Sequence, residues 1–251
     1  MILVTGASGN LGSSLVPLLV DAGADVHALS RQPRPAADGV TWHQGDLRTG
    51  DGLEALKGAD TIVHCASDWR RPKADLPATK NLLEAAKNKP HIVYISIVGV
   101  DDHPYGYYKT KYAVERLIAD SGLPHTILRT TQFFELLDMV LGLLAKSPLV
   151  MPILSKTSDQ PLDVDEVAAH MAELALAEPA GRVPDMGGPE VLTFNEIARA
   201  YLKATGRRRT LISLHLPGSV GRAFREGRHL APGHPTAKRT WSDYLAARYP
   251  H

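Results

Sequence analysis

The chain has 251 residues, 44% of them hydrophobic, with 28 Lys or Arg set against 27 Asp or Glu. That length suits one large domain or a domain with a small appendage, and a net charge of +1 gives no electrostatic case for nucleic acid or a membrane surface as partner. The single cysteine, Cys65, excludes an internal disulfide and fits a reducing compartment. No apolar run is long enough to span a bilayer, and the chain opens directly on a strand-like run with no place for a signal peptide, so a cytoplasmic protein is expected.

The first predicted strand, Ile2–Val4, breaks into Thr5-Gly6-Ala7-Ser8-Gly9-Asn10-Leu11-Gly12 and then a helix from about Asn10 to Ala22. A buried strand, a tight turn and a helix N-terminus make a ready site for a pyrophosphate. Gly6 allows the turn, Gly9 lets the backbone approach the phosphates, and Gly12 lets the helix pack close to the strand. The bland alternative is a glycine turn with no ligand. Pro17 is a local misfit in that helix, because it removes a backbone donor.

Asp25–Leu29 reads as the second strand, and it runs into Ser30, Arg31 and Arg34. An acidic residue there would bind the 2′-hydroxyl of NAD. A hydroxyl followed by a guanidinium suits the 2′-phosphate of NADP instead, unless both arginines belong to a solvated loop. Val40–His43 is the third strand and ends at Gly45-Asp46-Leu47, where Asp46 either meets the adenine amino group or caps its own turn. Leu53–Lys57 is a short helix and Thr61–Cys65 a buried strand, followed by Trp69, Arg70 and Arg71 as a rim for a cofactor cleft. Then come a helix over Leu76–Asn88, a strand at Ile92–Ile95, a helix over Tyr108–Ser121 and a strand at Thr126–Leu128. Strands alternating with helices imply right-handed crossovers and a parallel sheet covered on both faces.

Phe133 to Leu144 reads as a core or pocket helix, and Pro148, Pro152 and Pro161 mark loops. A helix over Val164–Ala177 takes Asp163 or Asp165 as its cap, Gly187-Gly188-Pro189 is a turn, and Thr193 with Glu196 resembles a capping box opening the helix Ile197–Ala204. Thr210–Leu214 is a strand candidate, and short helices follow around Val220–Phe224 and Trp241–Ala247. The expected organisation is a dinucleotide-binding core over residues 1–148 and a smaller mixed lobe over 149–251. The lobe would sit on the substrate side, at the carboxyl ends of the strands, without being an independent domain.

The chemistry concentrates in Tyr105-Gly106-Tyr107-Tyr108-Lys109-Thr110-Lys111-Tyr112-Ala113-Val114-Glu115. Positions four apart share a helix face, so Tyr107, Lys111 and Glu115 line up. A buried cation beside a phenol favours phenolate, and such a tyrosine can give a proton to a carbonyl as hydride arrives. Tyr105 with Lys109 has the same spacing but lies earlier, in a loop; the plain alternative is an amphipathic helix with exposed tyrosines. His103 is a pocket group or a surface histidine, and Phe133 and Phe134 contact a planar substrate or pack the core. The histidines show no metal-ligand spacing, and no Gly-x-Ser-x-Gly nucleophile turn is present.

Taken together these segments resemble the short-chain dehydrogenase/reductase superfamily, most of all its extended or atypical branch with the NmrA-like NAD(P)-binding proteins. Thr5-Gly6-x-x-Gly9-x-x-Gly12 matches the nucleotide turn, Gly45-Asp46-Leu47 the adenine contact, His64-Cys65-Ala66-Ser67 the end of the fourth strand, and Tyr107-x-x-x-Lys111 the catalytic helix. Leu128 to Phe133, Val164 to Ala168 and Gly187 to Glu190 are further likenesses.

The resemblance implies an α/β, Rossmann-type doubly wound parallel sheet. It places Thr5, Gly6, Ser8, Gly9, Asn10, Leu11, Gly12, Ser30, Arg31, Arg34, Asp46, Leu47, Cys65, Ala66, Ser67, Ser96 and Lys111 at the cofactor. Tyr107 and Lys111 become the catalytic pair, and His103, Thr131, Gln132, Phe133 and Phe134 border the substrate. One departure stands out. The family's catalytic serine falls on Val98 by the usual register, and Ser96 is the only hydroxyl nearby, about two residues early. The function expected is an NADPH-dependent oxidoreductase reducing a ketone or quinone on a largely apolar, even polycyclic, small molecule, acting as a monomer or homodimer with no metal. The rivals are a non-catalytic NADP(H)-binding redox sensor and, lower, an NAD-using nucleotide-sugar epimerase or dehydratase.

Overall fold

The computed structural model describes residues 1–37, 39–68 and 70–250, so Trp69 lies outside the described residues. In chain order the elements are β1 (Ile2–Thr5), α1 (Asn10–Asp21), β2 (Val26–Ser30), β3 (Val40–Gln44), β4 (Thr61–His64), α2 (Asp75–Ala85), β5 (His91–Ile97), α3 (Gly106–Ala119) and β6 (His125–Thr130). They continue as α4 (Phe134–Leu144), β7 (Val150–Leu154), β8 (Ser158–Asp159), α5 (Val164–Leu176), β9 (Gly181–Arg182), β10 (Leu192–Thr193), α6 (Phe194–Ala204), β11 (Thr210–Leu214), α7 (Gly218–Arg225) and α8 (Trp241–Arg248). The segment expected as a short helix near Leu53 is a 3₁₀ turn over Glu54–Gly58.

Seven strands form the main sheet in the order β3-β2-β1-β4-β5-β6-β9. β1 pairs in parallel with β2 on one side and β4 on the other, and β2–β3, β4–β5 and β6–β9 are parallel as well. The fold is therefore the expected α/β doubly wound sheet. All four residues of β1 are buried, which is why its sequence is a continuous apolar run and not an alternation. The chain winds outward from β1 to β3 and then restarts at β4. The ends of β1 and β4 thus flank the topological switch point, where open α/β sheets bind ligands.

The chain divides into two compact units. The first comprises Met1–Ser96, Gly106–Arg129 and Asp165–Pro184, and the second Ile97–Tyr105, Thr130–Val164 and Asp185–His251. The core of the first unit includes Leu3, Ile62, Ile92 and Tyr94 from adjacent strands, with Leu56, Leu82, Val114 and Ile118 packed on them. The second unit has its own core of Phe134, Leu137, Met151, Ile197, Tyr201, Trp241 and Tyr244. It also holds two small sheets, an antiparallel β8–β10 pair and a parallel β7–β11 pair.

Pro17 is tolerated inside α1 because the face it interrupts is exposed. The capping box at Thr193 and Glu196 forms as its spacing predicts, and Thr240 with Asp243 makes a second one. One expectation is corrected: the stretch around Pro152 is a strand, not a loop. Among the described residues β7 pairs only with β11, so a residue lacking an N–H removes no ladder bond on its open side.

Candidate functional site

The glycine turn is built as its sequence implies. Gly6 has φ +69°, and a Cβ there would lie 2.7 Å from the Ala66 backbone nitrogen. A Cβ on Gly12 would lie 2.3 Å from the Gly6 carbonyl oxygen, so only glycine lets α1 start this close to β1. The Gly9 N–H donates to the Gly6 oxygen at 2.8 Å, and Gly9 is the N-cap of α1. That N-terminus has no side-chain cap and no acidic residue in its first turn, while Ser8, Gly9 and Asn10 are exposed and Leu11 is buried. An uncapped, uncharged helix start held open by glycines fits the pyrophosphate of a dinucleotide.

Thr5, the last residue of β1, begins a buried polar chain. Its Oγ1 lies 2.7 Å from His64 Nδ1, and His64 Nε2 lies 3.1 Å from Thr79 Oγ1. The Thr79 hydroxyl already donates to the Asp75 carbonyl oxygen at 2.8 Å, so it must accept from Nε2–H. His64 is therefore the Nε2–H tautomer, with Nδ1 accepting from Thr5. Burial is the main cause holding its pKa down at about 3, with the Lys111 cation adding to it, and the ring is neutral at any ordinary pH. The backbone N–H of Ala66 donates to Thr5 Oγ1 at 3.4 Å, tying the end of β4 to the end of β1. Burial pushes the neighbouring Cys65 thiol up to about 12 against the pull of Lys111, so it is no nucleophile.

Beyond β2, Ser30 is buried and its Oγ accepts the Gln32 N–H at 3.3 Å. Arg31 and Arg34 are exposed, and the Arg34 guanidinium lies 5.9 Å from the Trp42 ring centroid. The Asp46 carboxylate turns onto Arg48, accepting its backbone N–H at 2.9 Å and its guanidinium at 3.1 Å. Leu47 is buried, and its carbonyl accepts from Asn81 Nδ2 at 2.8 Å.

The second cluster joins the ends of β4 and β5 to α3. Lys111 is buried, and its Nζ donates to the Ile95 carbonyl at 2.9 Å and lies 4.4 Å from the Tyr94 ring centroid. Desolvation lowers its pKa to about 8, opposed by Asp75, Cys65 and Glu115, so the ammonium is still charged at neutral pH. Tyr107, one turn earlier and half-buried, has its hydroxyl 3.1 Å from Ser67 Oγ. Ser67 Oγ in turn donates to Asp75 Oδ2 at 2.5 Å, and the Asp68 N–H donates to Asp75 Oδ1 at 3.1 Å.

Glu115, expected on the same face, is committed elsewhere: its two oxygens take Arg129 Nε at 2.9 Å and Nη2 at 2.7 Å in a buried fork. Ser96 is buried, and its Oγ has no hydrogen-bond partner among the described residues.

The first unit thus brings together Thr5, Gly6, Cys65, Ala66, Ser67, Ser96, Tyr107 and Lys111 at neighbouring strand ends. The predicted substrate-side residues belong to the second unit. There His103 is buried, with its ring centroid 4.5 Å from that of Phe224, and desolvation above all, aided by His229 and Arg228, lowers its pKa to about 4. Thr131 Oγ1 accepts the Gly188 N–H at 3.2 Å, and the Gln132 carbonyl accepts from Leu162 N–H at 2.9 Å. Phe133 is half-buried as the N-cap of α4, whereas Phe134 is fully buried against Trp241 and Tyr244, the packing role of its two readings.

Asp75 and Thr79 were invisible to the sequence reading. An acidic residue opening a helix normally signals no more than a favourable dipole contact.

Among the described residues no helix is long and apolar enough to cross a membrane. A doubly wound sheet with a glycine turn at its switch point, and a helix carrying the half-buried Tyr107 and the buried Lys111, fit a nicotinamide-dinucleotide-binding protein. Residues 6–136 match the NAD(P)H-binding family, and the chain belongs to it.

Quinone oxidoreductase 2 of Escherichia coli is 26% identical, over 85% of this chain and 78% of its own. The crystal structure of the NADPH-dependent quinone oxidoreductase QOR2 from that organism, complexed with NADPH, superposes with a TM-score of 0.82 at 22% identity, covering 99% of this chain and 100% of that one. NAD(P)H azoreductase of Xenophilus azovorans is 27% identical over 98% of this chain and 89% of its own. UDP-glucose 4-epimerase of Thermus thermophilus, in complex with NAD, gives a TM-score of 0.76 at 19% identity over 99% of this chain and 98% of that one. At such identity the two structural likenesses speak for the fold alone.

Proposed function

We propose that this protein is an NADPH-dependent reductase of a ketone or quinone carried on a largely apolar molecule. The observation that carries the reading is the pair on α3: a buried ammonium at Lys111, anchored by the Ile95 carbonyl, one turn from the half-buried Tyr107 phenol. NADPH supplies the hydride. Lys111 holds the nicotinamide ribose and keeps a positive charge near Tyr107, and Tyr107 donates its proton to the substrate oxygen. Gly6, Gly9 and Gly12 accept the pyrophosphate, and the exposed Arg31 after β2 takes the 2′-phosphate, with Ser30 and Arg34 beside it.

The two relatives whose names specify a quinone and an azo substrate favour a reductase of planar conjugated compounds.

The test is NADPH consumption against quinones and polycyclic ketones, with NADH as control. Tyr107→Phe is expected to cost about 10²–10⁴-fold in turnover. Unaltered turnover in that variant removes Tyr107 from the chemistry.

Two other readings have their own motives. Val98 at the family's serine position favours a binding protein that senses the NADP redox state, which predicts saturable NADPH binding with no turnover. The shared fold also suits a nucleotide-sugar epimerase or dehydratase, the third reading of the sequence. Purified protein that retains NAD tightly would favour that reading.

A further inference from the structure

We propose that Asp75, acting through Ser67, is a positioning residue that holds Tyr107 as the neutral, proton-bearing phenol. Its purpose rests on the reductase reading; its test does not.

The direction of each hydrogen bond follows from counting protons. Ser67 Oγ has one proton and lies 2.5 Å from Asp75 Oδ2, to which it donates. An ionised carboxylate can only accept, so that proton is committed to Asp75. The Ser67 oxygen, 3.1 Å from the Tyr107 hydroxyl, is left as an acceptor, and Tyr107 must donate to it. The carboxylate itself is fixed at both ends, because Oδ1 takes the Asp68 N–H at 3.1 Å. It also opens α2, where the helix dipole favours an anion.

A phenol that donates to a fixed lone pair, with a carboxylate behind it, is stabilised as phenol. The phenolate would meet both with like charge. Lys111 acts in the opposite sense. Tyr107 is therefore bracketed between an anion-terminated acceptor chain and a buried cation, and a proton donor to a carbonyl has to begin as phenol. Ser67 lies just past β4, not beyond β5 where the family resemblance places the serine and this chain has Val98. The tyrosine has a hydroxyl partner, supplied from a different strand. The other ionisable groups facing the cluster among the described residues include His64, Tyr94, Cys65, Asp68 and the Glu115–Arg129 pair.

The experiment is a pH titration of the cofactor-free protein labelled with ¹³Cζ-tyrosine, in which Tyr107 is assigned by the signal lost in Tyr107→Phe. Asp75→Asn keeps the shape and removes the charge, and it is expected to lower the Tyr107 midpoint by about one pH unit. Ser67→Ala is expected to lower it as well, and Ser67→Thr, which retains the hydroxyl, to restore it. The two Ser67 variants carry the test if Asp75→Asn does not fold. A midpoint that ignores both Asp75→Asn and Ser67→Ala, in proteins with native circular dichroism, overturns the positioning role even where NADPH-dependent turnover is found. A shifted midpoint upholds it even in a protein that turns nothing over, and then only the reductase reading falls.

Discussion

The two units bury polar groups for different ends. In the first, Thr5, His64, Thr79, Asp75, Ser67 and Tyr107 are linked hydroxyl to imidazole to hydroxyl, and the partners are mostly other side chains. In the second, the buried polar groups mostly grip backbone. Gln160 Nε2 donates to the Gly188 carbonyl at 2.8 Å and the Ala231 carbonyl at 3.2 Å, while its Oε1 accepts the Ala231 N–H at 2.8 Å. His229 Nε2 lies 3.0 Å from the Ser158 carbonyl oxygen. The difference follows from what each unit lacks. A seven-stranded sheet satisfies its own main chain and frees side chains for one another. A unit whose sheets have two strands each leaves main-chain groups to be met by side chains.

Three perturbations test that contrast, beginning with the one of largest expected effect. Glu115→Ala removes the buried carboxylate paired with the Arg129 guanidinium in the first unit and is expected to cost about 3–5 kcal/mol of stability by urea unfolding. A loss under 1 kcal/mol would mean that the fork is solvated and that the first unit is not organised around paired buried groups. Gln160→Leu removes three hydrogen bonds to backbone and is expected to cost about 3 kcal/mol. If its unfolding curve matches wild type, the second unit does not depend on such side-chain staples.

The smallest effect is pH-dependent. The folded pKa of His64 is depressed to about 3 from 6.5, so the unfolded chain binds the extra proton as pH falls. The histidine's contribution is intact above about pH 6.5 and is lost on acidification, by about 2 kcal/mol at pH 5. The stability of His64→Gln should fall less steeply between pH 7 and 5 by that amount. An unchanged slope would place the proton uptake in other histidines.

What could be read from the sequence was what is local to it. The glycine turn, the spacing from Tyr107 to Lys111 and the capping box at Thr193 each depend on residues within a dozen positions, and each formed as read. What escaped needed the tertiary fold. Glu115 shares a helix face with Lys111, yet its partner is Arg129 on β6. Asp75 reaches Tyr107 only because α2, which Asp75 opens, packs beside α3. Pro152 marks a loop by its residue type, yet it sits in β7, an edge strand whose partner among the described residues is β11.

The chain from Thr5 to His64 to Thr79 carries an order that no distance records. Each link has a single hydrogen to hand on, so the sense of one bond dictates the sense of the next, like teeth on meshed gears. Replacing Thr5 with valine would move almost no atom, yet it would remove the donor that fixes His64 in one tautomer. The imidazole could then turn its N–H the other way, and the Asp75 carbonyl, two bonds further on, would be addressed differently. The nucleotide turn and the start of α2 are coupled by orientation alone, with neither charge nor backbone displaced.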